Sequence, residues 1–102
     1  MEKFLARFEE YCITPGVDSG KAKSYARAIE YLCDYLKISV INEEGVLRIR
    51  NIESSVNDKN SKTYQELLSF LSNRGQKSYL TKGFIKAALK YLFEFVYVYV
   101  TG

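Results

Sequence analysis

Between Ser19 and Lys37 the chain reads SGKAKSYARAIEYLCDYLK, and Tyr25, Ile29, Leu32, Cys33 and Leu36 recur there at i, i+4, i+7, i+8 and i+11. That spacing gathers all five on one side of an α-helix and fits no strand, whose period is two. Asp18 or Ser19 is placed to cap the first amides. Phe4, Phe8, Tyr11 and Cys12 repeat the pattern from Glu2 to Ile13, and TPGVDSG ends that helix because proline cannot continue the hydrogen-bond ladder. A further helix starts between Lys59 and Lys62, carries Tyr64, Leu67, Leu68 and Leu71, and stops at Asn73 and Gly75. The last opens at Ser78 or Thr81, with Leu80, Phe84, Ala87, Ala88, Tyr91, Leu92 and Phe95 as its buried face. At 102 residues, 47% apolar with one proline and six glycines, the chain has the size of one core. The expectation is all-α: a single helical domain over residues 1–102, a compact bundle of four to five helices.

Two segments resist this pattern. SVINEEGVLRIRNIESSVNDKNSK reads either as a short helix interrupted at Gly45 or as a β-like stretch at VLRIRNI. Helix is favoured, because a lone strand has no partner apart from the terminal VYVYV. That terminal run is β-branched and aromatic, which disfavours helix, so it reads as a frayed helix end or the start of a connection.

The absence of histidine removes more chemistry than any other feature. No Ser-His-Asp or Cys-His arrangement and no His-bearing metal site can be assembled. Cys12 and Cys33 sit where helices want apolar residues and read as small buried hydrophobes. Glu9/Glu10 and Glu43/Glu44 are sequence neighbours that diverge on a helix and read as solvated surface. There is no Gly-rich phosphate loop, calcium loop or zinc-type cysteine spacing. The expectation is a chain with no catalytic residues, metal or cofactor, and with no nuclease, ligase or strand-transfer activity of its own. The amino terminus lacks a signal-peptide apolar run, and Leu89 to Val100, interrupted by Lys90 and Glu94, is too short and too charged to span a bilayer. A cytoplasmic location is the expectation.

Charge is unevenly placed. From Arg74 onward there are five basic residues against one acid, whereas the first 73 residues hold ten against eleven. Two helix starts, SGKAKSYARA and GQKSYLTKGFIKA, combine lysines with small and hydroxyl residues. Lysines oppose the positive end of a helix dipole and are better tolerated there beside a phosphate. The plainer reading is that they solubilise exposed helix faces.

KSYARAIEYLCDYL, TYQELLSFLSNRG and QKSYLTKGFIKAALKYLFEF together resemble the N-terminal SAM-like (core-binding) domain of phage integrases and tyrosine recombinases, over about Ser19 to Phe95. They are also similar to helical N-terminal domains that precede HNH-type nucleases in bacterial restriction proteins. The stretch Asn42 to Lys62 is longer than the usual linker of the recombinase family, and the Arg, His and Tyr of its catalytic domain are absent. The resemblance implies a non-catalytic module that holds duplex DNA for a C-terminal catalytic domain in the same polypeptide. Carried over by position, its DNA contacts are Lys21, Lys23, Ser24 and Arg27 on the earlier helix and Lys77, Ser78, Tyr79, Lys82 and Lys86 on the last. Many lysines and few arginines or asparagines at these places imply phosphate contacts rather than base readout. The rival class is a helical protein-interaction or oligomerisation module using FEFVYVYV as an apolar docking surface. Convergence of the two lysine-bearing helix starts on one face favours DNA; dispersal favours interaction.

Overall fold

In the computed structural model, which describes residues 1–99, the apolar stripes become six helices: α1 Glu2–Ile13, α2 Ser19–Leu36, α3 Glu43–Val56, α4 Lys62–Ser72, α5 Ser78–Thr81 and α6 Phe84–Tyr99. Among the described residues there is no strand, so the all-α expectation holds with one helix more than the upper count. Polar side chains close three helix starts. Asp18, Asn42 and Ser61 accept from the backbone N–H groups of Lys21, Gly45 and Tyr64, satisfying amides that the helices leave free.

Two helices end in the same left-handed device. Gly75, at φ +69°, donates to the Ser72 carbonyl while Gln76 donates to Leu71 at 2.8 Å. At the end of α2 the same pair of bonds runs from Lys37 to Asp34 and from Ile38 to Cys33, but the left-handed residue is Lys37, at φ 59°. A residue with a Cβ is disfavoured in that conformation. Lys37→Gly is therefore expected to raise stability by about 0.5–1 kcal/mol, seen as a higher denaturant midpoint at unchanged m-value.

The ambiguous middle is helical throughout α3, and Gly45 packs its first turn instead of interrupting it. A Cβ at Gly45 would lie 3.3 Å from the Val40 carbonyl oxygen and 3.4 Å from Ile38 Cγ2. The strand-like VYVYV run is helical through Tyr99, because Phe95 and Val96 are buried by neighbouring helices and override the local propensity. The rest of that run, Val100 onward, lies outside the described residues.

The last helix departs from the sequence reading. Gly83, at φ +80°, breaks it into α5 and α6, and the buried face restarts in a new phase. Ile85, Ala88, Leu89, Leu92, Phe95 and Val96 are buried, while Phe84, Ala87 and Tyr91 stand half-buried at its edge. α6 crosses α2 and meets α1 through Phe95, whose ring lies 5.3 Å from Phe4, 5.8 Å from Phe8 and 5.4 Å from Tyr11. α3 and α4 pack together on the other side, α3 also against α6. Cys12 and Cys33 are free and buried in this core; burial is the first cause pushing their thiols up to about 11 and about 12. They are poor nucleophiles near neutral pH.

Candidate nucleic-acid interface

The nine residues expected to hold DNA stand in several different surroundings. Tyr25 of α2 meets both Phe84 and Tyr91 of α6, at 6.3 and 5.6 Å between ring centroids, and Tyr31 meets Tyr79 at 5.2 Å. The start of α6 thus lies against the second turn of α2, at Tyr25, and α5 against Tyr31 farther along. Lys23 and Arg27 line a hollow of about 430 Å³ between α1 and α2 whose other walls include Glu2, Glu9 and Glu30. Those carboxylates offset both cations and disfavour an incoming phosphate. Lys21, two positions from Lys23, projects from a different side of α2. Ser24 returns its hydroxyl to the Gly20 carbonyl at 3.2 Å.

The α5 candidates change character as well. Lys77 is the residue before a helix of only four residues and has no capping bond. Tyr79, a DNA contact by the resemblance, is half-buried between Tyr31 and Phe84. Its neighbours are aromatic, so packing against α2 and α6 accounts for its place. Ser78 is half-buried, and Lys82 closes α5 just before Gly83, exposed but off the axis of α6. The pattern Lys82, Lys86, Lys90 is therefore not one helical stripe.

Lys86 belongs to a different arrangement. It lines a hollow of about 180 Å³ together with Asn57, Lys59, Tyr64, Thr81 and Gly83, where α3, α4 and the start of α6 meet. No carboxylate lines this hollow. Lys90 and Phe93 follow Lys86 at i+4 and i+7, on the same side of α6. The Arg50 guanidinium of α3 rests on the Phe93 ring, Cζ 4.2 Å from its centroid, at a distance where cation and ring attract. Lys90 leans towards Tyr91, its Nζ 5.9 Å from that ring.

Lys59, Lys86, Lys90 and Arg50 are thus four exposed cations on the α3–α6 side, Lys59 beside Lys86 at the hollow, Lys90 one turn farther along α6, and Arg50 over Phe93. Among the described residues none of the four has a carboxylate within salt-bridge distance, although Glu53 lies one turn from Arg50, the exposed Glu94 one turn beyond Lys90, and the exposed Asp58 next to Lys59. Three of them, Lys59, Lys90 and Arg50, were missing from the sequence candidates. Lys90 was legible from its spacing to Lys86, whereas Lys59 and Arg50 join them only through tertiary packing.

Another hollow lies at the α2–α3 connection, lined by Lys37, Ser39, Asn42, Glu44 and Arg48. Arg48 donates there to the Leu36 carbonyl, closing the end of α2. Among the described residues no group of three or more acidic or cysteine side chains could hold a metal ion, and no helix is long and apolar enough to cross a membrane. No protein-family model, curated protein or solved structure matches this chain.

Proposed function

We propose that this chain is a non-catalytic module that holds duplex DNA by its phosphates, for a recombinase- or nuclease-type catalytic domain in the same polypeptide. The observation that carries this reading is the set of cations Lys59, Lys86, Lys90 and Arg50 on one side of the bundle, free of ion-pair partners among the described residues. Cations left unneutralised on one face attract a polyanion and release its condensed counterions. Three lysines and one arginine neutralise phosphates without reading base edges, so recognition of sequence falls to another domain. The ring contacts between α2, α5 and α6 do not bring the two lysine-bearing helix starts together, which by itself counts for the interaction reading; the DNA reading rests instead on the cations along α3 and α6.

The rival reading rests on Tyr97 and Val98, 75% and 61% exposed on α6. It is weakened by Phe95 and Val96, which belong to the same run and are consumed by the core. Fluorescence anisotropy with two duplexes of unrelated sequence separates the readings. Binding of both with equal affinity, a Kd on the order of 100 μM near 0.1 M salt, is expected. Absence of binding at low salt refutes the DNA reading and leaves Tyr97 and Val98 as the surface to pursue.

A further inference from the structure

From the hollow between α1 and α2, we infer that this chain pairs with a second copy of itself, the two α2 helices lying antiparallel about a two-fold axis near Ala26. The inference is independent of the DNA-holding reading. The hollow, of about 430 Å³, has Leu5, Ala6 and Ala26 between its charged residues, which are Glu2 and Glu9 on α1 and Lys23, Arg27 and Glu30 on α2. Two of those three apolar side chains are alanines, small enough to let another helix approach closely. Among the described residues none of the five charged groups has an opposite charge within salt-bridge distance. Both signs of charge therefore stand unpaired around one apolar depression.

Their order along α2 decides what fits there. Lys23 and Glu30 are seven residues apart, on one side of the helix and about 10 Å from each other along it, with Ala26 and Arg27 midway. A face with a cation at one end and an anion at the other is its own complement when turned end for end. A second α2 laid antiparallel sets its Lys23 against Glu30 of the first copy and its Glu30 against Lys23 of the first, so one two-fold operation makes two pairs of opposite charge. A parallel α2 would set like against like. α1 runs back along α2 after the short connection at residues 14–18, which brings Glu2 towards the Glu30 end of the hollow as a second carboxylate for the incoming lysine. Partners of a single charge sign fit less well, since the three carboxylates repel a polyanion and the two cations a polycation. The hollow is lined by α1 and α2 alone, so pairing there leaves the cations of α3 and α6 open.

The contact is confined to about two turns of α2, and a dissociation constant on the order of 100 μM is expected, measured by sedimentation equilibrium of the full chain. Lys23→Glu alone and Glu30→Lys alone, both at exposed positions, are each expected to weaken self-association by at least about tenfold, with helical content by circular dichroism unchanged. Mixing these two variants in equal amounts restores opposite charges at both ends of the contact, and the mixture is expected to form a heterodimer with about the affinity of the unaltered chain. An unaltered chain that stays monomeric at millimolar concentration overturns the inference, as does a mixture that fails to pair. Self-association that neither substitution weakens also overturns it, and moves the contact to another face, such as the exposed Tyr97 and Val98 of α6.

Discussion

Replacing Phe8 by alanine is expected to lower stability by about 3–5 kcal/mol. Phe8 is fully buried on α1, and its ring is one of three, with Phe4 and Tyr11, that close around Phe95 of α6. Removing it takes a large apolar group from the contact that ties the first helix to the last, and neighbours on rigid helices collapse only partly into the space. A domain of this size has about 5–15 kcal/mol in total, so most of the margin is at stake. Phe84 is the informative comparison, since the uninterrupted-helix reading gives it the same importance. It is half-buried beyond the break at Gly83, so Phe84→Ala is expected to cost only about 1–2 kcal/mol. Urea unfolding of both variants, with m-values checked for constancy, measures the difference. Equal losses would mean that the phase of α6 is wrong.

The second large effect is on binding. Lys86→Gln combined with Lys90→Gln is expected to weaken duplex affinity by about 50-fold at 0.1 M salt, which follows from two lost phosphate contacts at a dependence of about 0.9 each. Both side chains are exposed and outside the core, so helical content should stay the same. Lys23→Gln with Arg27→Gln removes the same charge from the α1–α2 hollow, where Glu2, Glu9 and Glu30 already surround it. That pair is expected to change affinity by less than about threefold through the general field of the protein. Lys59 is unsuitable as a neutral control despite lying just before α4, because it shares its hollow with Lys86. A comparable loss from both pairs would reduce the effect to net charge.

The helices were legible where period and cap agreed. Tyr25, Ile29, Leu32, Cys33 and Leu36 mark α2, and Asp18 supplies its cap as expected. The helical pattern runs straight through Gly83, because one glycine inside it is tolerated and only its positive φ reveals the break. That omission moved the inferred buried face onto Phe84, Ala87 and Tyr91, and it joined Lys82 to a stripe it does not share. VYVYV was misleading in the opposite sense, since tertiary burial of Phe95 and Val96 decided what local propensity did not.

Less of the candidate site could be read. Lysines at helix starts are visible in sequence, but whether a carboxylate faces them is not: Lys23 and Arg27 find Glu2 and Glu9 across the hollow from α1. Arg50 reaches Phe93 only because α3 packs on α6.

The central claim, that the four cations of the α3–α6 side hold the phosphate backbone, is tested most directly by the slope of log Kobs against log salt for duplex binding. Four neutralised phosphates predict a slope of about −3.6 for the unaltered chain and about −1.8 for the Lys86→Gln, Lys90→Gln variant. A slope that is the same in both proteins, or that falls only in the Lys23→Gln, Arg27→Gln variant, would place the DNA elsewhere and contradict the account.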